Sequence, residues 1–141
     1  LFPSPTNIIP VSPRTVRIPV LGTIACGEPI LAEENITEYI TESPDRIPAG
    51  NVFYLRAKGD SMEPTIPDGA LVLIREQPEV ENGMIAAVLV NDDTEATLKR
   101  IKRQGDIIIL MPDNPAHEPI VVTPDRPARI IGRAIQVTQM L

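Results

Sequence analysis

Met84-Ile85-Ala86-Ala87-Val88-Leu89-Val90, then Asn91-Asp92-Asp93, then Thr94-Glu95-Ala96-Thr97-Leu98-Lys99-Arg100-Ile101: two apolar, β-branched runs flank three turn formers. Asn and Asp bond their own main chain and tolerate left-handed backbone, so the stretch reads as two strands joined by a turn. Downstream, Gln104-Gly105-Asp106 leads in the same way into Ile107–Met111. Similar runs occupy Val16–Ala25, Val52–Ala57, Ala70–Arg75, Ile120–Val122 and Ala128–Met140, separated by Gly, Pro, Asn or Asp. Short strands at this spacing predict a mostly β fold, an antiparallel, partly closed, barrel-like sheet. The one helical candidate is a single turn at Ser61–Thr65.

The chain has 141 residues, enough for one domain with a sizeable core. Residues 1–19 hold five prolines and no acid. Proline fixes φ and removes a donor, so residues 1–17 read as an extended linker and 18–141 as the globular domain. Residues 26–50 carry six acids against Arg46 alone. The net charge of −6 argues against direct DNA binding, which Lys and Arg contacts to phosphate dominate. Aromatics make up 3% with no Trp, too few for a base-stacking platform. One cysteine cannot form an internal disulfide and fits a reducing cytoplasm. No apolar run approaches the ~18 residues of a membrane span. No cofactor or metal site is expected.

Three short segments carry candidate chemistry. Ser61 stands in Gly59-Asp60-Ser61-Met62-Glu63-Pro64, among turn formers. Such a serine serves equally as a turn or helix N-cap, and as a nucleophile it needs an adjacent base. His117, the only histidine, lies between prolines in Pro115-Ala116-His117-Glu118-Pro119 and reads as a solvated loop residue, so a Ser-His-Asp triad is not expected. Lys99 is the other candidate base. Strand alternation puts it on one face with Thr97 and Ile101. To work near pH 7 its pKa must fall by about 3 units, ~4 kcal/mol, which burial can supply. It also fits an edge-strand lysine that discourages aggregation. In Ala25-Cys26-Gly27-Glu28 the small residue and glycine let a nucleophile approach a carbonyl closely, or they form a buried Cys beside a turn glycine.

In order and spacing, Val20–Ala32 with its Ala25-Cys26-Gly27-Glu28-Pro29, Gly59-Asp60-Ser61-Met62 with Asp68-Gly69, and Thr97-Leu98-Lys99-Arg100 resemble the LexA-type self-cleaving repressors. Leu110-Met111-Pro112-Asp113-Asn114, Pro119–Val122 and Ile131-Gly132-Arg133-Ala134 extend the resemblance over about residues 18–141. It implies Ser61 as nucleophile, Lys99 as neutral general base, and Cys26–Gly27 as the scissile bond. Most LexA-like proteins have Ala before that Gly; Cys is the variant of several phage repressors and of UmuD. Backbone N–H groups at Ser61 and Met62 are the implied oxyanion donors. The implied fold is the mostly β domain of the LexA C-terminal and signal-peptidase type, dimerising through its C-terminal region.

The same resemblance implies a cytoplasmic repressor of the DNA-damage response, stimulated to cut itself by the RecA–single-stranded-DNA filament. Operator DNA would be read by a helix-turn-helix domain outside this chain. The non-methionine start at Leu1 and the Pro-rich opening fit a C-terminal fragment. A UmuD-like polymerase accessory subunit is the alternative, although Gly27–Ala32 continues in the LexA-like way. Signal peptidase has a related Ser and Lys arrangement but needs a membrane anchor. A catalytically silent dimerisation module is the third class.

Overall fold

The apolar runs form β1 (Val16–Leu21), β3 (Val52–Arg56), β4 (Leu71–Glu76), β5 (Ile85–Val90), β6 (Thr97–Gln104), β7 (Ile107–Met111), β8 (Ile120–Val121) and β9 (Ala128–Thr138). A further strand, β2 (Ile36–Glu42), lies in the acid-rich stretch. The structure is a computed structural model that describes residues 14–25 and 27–139. Most of the Pro-rich linker and Cys26 lie outside the described residues.

The nine strands of the described residues form one sheet in the order β2-β1-β3-β4-β9-β5-β6-β7-β8. The mostly β expectation holds. The pairs are antiparallel except β1 with β3, which is parallel through Val20↔Tyr54 and Leu21↔Leu55. The ladder is open, with β2 and β8 as its edges.

The reason for β2 is legible afterwards. Ile36-Thr37-Glu38-Tyr39-Ile40-Thr41-Glu42 is rich in β-branched residues, and Ile36 and Ile40 alternate with polar positions. Counting acids hid that alternation. At the other hairpins the turn chemistry is as expected. Asn91 (φ +53) and Asp92 (φ +63) take left-handed backbone after β5, and Gly105 (φ +59) does so between β6 and β7.

Strand periodicity distributes the core. On β3, Phe53 and Leu55 join one buried cluster and Tyr54 another; on β4, Val72 and Ile74 join the first and Leu73 the second. Successive side chains point to opposite faces, so a sheet buried on both sides builds two cores. Phe53, Leu73 and Ile74 are wholly buried, each contributing roughly 1.5–3 kcal/mol. Ile18 and Val20 of β1 extend the second core, and Ala86 and Val88 of β5 belong to a third cluster under β6 and β7.

Three bulges bend the sheet, at Val20/Leu21, Leu73/Ile74 and Ala87/Val88. The bending matters for the site. The β3–β4 connection and β6 belong to strands well separated in the sheet order, yet their side chains meet.

Candidate active site

The β3–β4 connection carries Ser61. Its base is closed by Ala57 N–H to Ala70 O (2.8 Å) and Gly69 N–H to Ala57 O (2.9 Å). Gly59 takes φ +80, a region a side chain rarely adopts, and its N–H donates to Asp68 Oδ1 at 2.8 Å. The expected single turn at Ser61–Thr65 is present, closed by Ile66 N–H to Met62 O at 2.8 Å. Met62 and Ile66 are buried in the first core. They pin the turn and leave Ser61 on the wall of a cleft of about 250 Å³, lined also by Arg56, Lys58, Glu95 and Thr97.

Lys99 reaches the same point from β6. Its Nζ lies 3.0 Å from Ser61 Oγ, 2.9 Å from Thr97 Oγ1 and 3.2 Å from the Leu98 carbonyl oxygen. The residue is 7% exposed. No carboxylate lies within ion-pair distance of it among the described residues. Burial alone pushes the amine below its ordinary value of 10.5, because the ammonium loses hydration that no opposite charge replaces. Three oxygens around one nitrogen suit either protonation state. An ammonium donates to all three. A neutral amine donates to Thr97 and Leu98 and turns its lone pair to the Ser61 hydroxyl. The alternation that grouped Lys99 with Thr97 is therefore realised as a hydrogen bond.

A second layer braces the serine turn from the β7–β8 loop. Asn114 N–H donates to Ser61 O at 3.0 Å, and Asn114 Nδ2 donates to Asp60 O at 3.0 Å. The Asp113 carboxylate accepts the Thr65 hydroxyl at 2.6 Å and two Arg100 guanidinium N–H groups at 2.9 and 2.8 Å. Arg100 holds the Asp113 carboxyl below its ordinary range, with the Thr65 bond adding to the effect. His117 Nε2 lies 2.6 Å from Asp60 Oδ1, so the loop histidine has a partner beside the nucleophile. Sequence reasoning assigned no role to Asp113, Asn114 or His117. The first two sat inside a quoted motif, but their partners are 48 and 54 residues away in the chain.

Among the described residues the Ser61 and Met62 amides donate no hydrogen bond.

The structure places Gly27 on a different cleft from the one that Ser61 lines. Gly27, at φ +81, lines a second cleft of about 190 Å³ with Ile24, Ala25, Leu89 and Pro127. None of the described residues 24–27 lines the Ser61 cleft, and Asp93 borders both. Cys26 lies outside the described residues.

The chain is similar in sequence to known proteins. A Peptidase S24-like family profile matches residues 19–135. The LexA repressor of Oleidesulfovibrio alaskensis is 41% identical over 121 residues, 85% of this chain and 58% of its own length. That of Acidothermus cellulolyticus is 43% identical over 140 residues, 99% of this chain and 48% of its own length. That of Mycobacterium tuberculosis is 41% identical over 126 residues, 89% of this chain and 51% of its own length. The chain thus spans about half the length of these relatives. With the profile covering most of the globular part, the chain belongs to the Peptidase S24-like family.

Proposed function

We propose that this chain is the self-cleavage and dimerisation domain of a LexA-like repressor, and that it cuts its own Cys26–Gly27 bond. The observation that carries the reading is the 3.0 Å contact between Lys99 Nζ and Ser61 Oγ, with the amine buried and short of countercharge. Residues 1–17 would join it to a DNA-reading domain outside this chain. The repressor relatives favour this reading over a polymerase accessory subunit.

The chemistry follows from the residues. Neutral Lys99 takes the Ser61 hydroxyl proton as Oγ attacks the Cys26 carbonyl carbon. The Ser61 and Met62 amides receive the developing oxyanion. Collapse breaks the Cys26–Gly27 bond, and Lys99 returns its proton to the departing Gly27 amine. Water then hydrolyses the Cys26–Ser61 ester, with Lys99 again as base. Lys99 is already buried before the segment docks, so the base is prepared in advance. What remains is delivery of the scissile bond to Ser61.

The RecA filament would favour the docked arrangement, a shift in population that leaves the chemistry to the chain. Ile135 and Val137, exposed on β9, are suited to a homodimer contact at the C-terminal region.

The test is mass spectrometry of the purified chain after incubation at mildly alkaline pH, alone and with activated RecA filament, beside Ser61→Ala and Lys99→Ala. A cut between Cys26 and Gly27 that both substitutions abolish is the expected result. A wild-type chain left intact in both conditions would overturn the proposal.

A further inference from the structure

Asn35 is 1% exposed; it and Lys99 are the two buried polar or charged residues among those described. Its amide uses both ends. Oδ1 accepts the Ala25 N–H at 2.8 Å, while Nδ2 donates to the Pro29 and Ile30 carbonyls at 3.2 and 3.0 Å. These partners lie on the two sides of the Cys26–Gly27 bond. Asn35 itself is held to the sheet, because its carbonyl accepts the Gly22 N–H at 3.0 Å beside the paired strands β1 and β2. The segment between Ala25 and Pro29 is thus tied at both ends to one anchored side chain. In this arrangement Gly27 faces the second cleft and the Ser61 cleft lacks residues 24–27.

We infer that Asn35 is a clasp that holds the cleavage segment away from Ser61, and that its release is a step in self-cleavage. This rests on the self-cleavage reading above. A buried amide with all its bonds made favours one backbone arrangement strongly, since each partner it deserts is left without a bond in a place poor in water. On this inference, docking the Cys26 carbonyl on Ser61 draws Ala25 and Pro29 away from Asn35. Among the described residues Asn35 makes no hydrogen bond to Ser61, Lys99 or Gly27, so it is a positioning residue: it sets how much of the population is docked, while Lys99 sets the pH response. While the docked form is a minority, the observed rate is that small fraction multiplied by the chemical rate. Loosening the clasp then raises the plateau rate and leaves the pH midpoint in place.

The experiment measures self-cleavage of wild type, Asn35→Ala and Asn35→Asp against pH, without RecA. Asn35→Asp keeps the acceptor for Ala25 and loses both donors, so it guards against an Asn35→Ala chain that does not fold. Both are expected to cut faster, Asn35→Ala by about tenfold or more, with an unmoved pH midpoint. A second readout needs no cleavage. In a Ser61→Ala background, the Ala25 amide should exchange slowly with Asn35 present and at least about tenfold faster in Asn35→Ala. Folded variants that cut no faster than a wild type that does cut, or a moved midpoint, overturn the clasp and leave the self-cleavage reading standing. A wild type that cuts neither alone nor with activated RecA filament overturns both. An Ala25 amide equally fast in both chains overturns the clasp alone.

Discussion

Replacing Lys99 by Met separates the cost of the buried base from its use. The two side chains have similar length, and both parent and variant would carry Ser61→Ala so that neither cuts itself during the measurement. In that background Lys99 Nζ keeps two protein partners, Thr97 Oγ1 and Leu98 O. Losing them costs about 1 kcal/mol each. Against this stands an amine in a residue that is 7% exposed and has no carboxylate beside it. Exchanging a buried charge for a well-packed apolar chain is commonly neutral or stabilising by about 1–4 kcal/mol. Below the folded-state pKa of Lys99 the balance is a variant more stable by about 1 kcal/mol, seen as a midpoint shift of roughly 3–4 °C for a domain of this size.

The pH dependence gives the sharper check. The folded-state pKa of Lys99 lies below 10.5. Between those two values the unfolded chain holds a proton that the folded chain has released, so the parent gains stability as pH rises. Below the folded value the parent carries the full cost of the ammonium, and above 10.5 the gain is complete. The methionine side chain of the variant does not titrate, so its advantage must shrink with rising pH. Urea unfolding at several pH values would measure this. A Lys99→Met chain less stable than its parent across the whole pH range, or a gap that stays constant with pH, would refute the argument that Lys99 is held at an energetic cost.

Other outcomes follow from the same contacts. Self-cleavage should accelerate with pH from neutrality and level off short of 10.5, as Lys99 loses its proton earlier than an ordinary lysine; quantified cleavage products across that range would show it, and a flat profile would contradict it. Asp113→Ala removes the brace on Arg100 and Thr65 and should cost about 1–2 kcal/mol, allowing for the part-exposed Arg100, and slow cleavage several-fold. Because the Asp113 carboxyl is held below its ordinary 3.8, its contribution is present above that value and fades as pH falls beneath it, so acid should bring wild type and variant together in urea unfolding. Gly132→Ala would drive a Cβ into Ile74 Cγ2 and the Arg75 carbonyl oxygen, forcing β9 away from β4. A loss of about 3 kcal/mol or more in thermal or urea unfolding is expected.

Period-2 apolar runs and their Gly, Asn and Asp turns determined the strand content, because burial on a pleated sheet needs only the local sequence pattern. Eight of the nine strands were legible in that way, and β2 was hidden by its charge. The ordered motifs also named Ser61 and Lys99 as a pair, and alternation along β6 put Lys99 on the face of Thr97. Local pattern does not fix which strands become neighbours. The parallel β1–β3 pair and the curl that carries Ser61 across to β6 depend on packing between distant segments. The same holds for Asn35, an ordinary polar residue in Glu33-Glu34-Asn35, whose role appears only when burial removes water and leaves the backbone around Gly27 as its partners. Chemistry-bearing residue types can be picked out along the chain, but the distances and dielectric that activate or restrain them are properties of the folded whole.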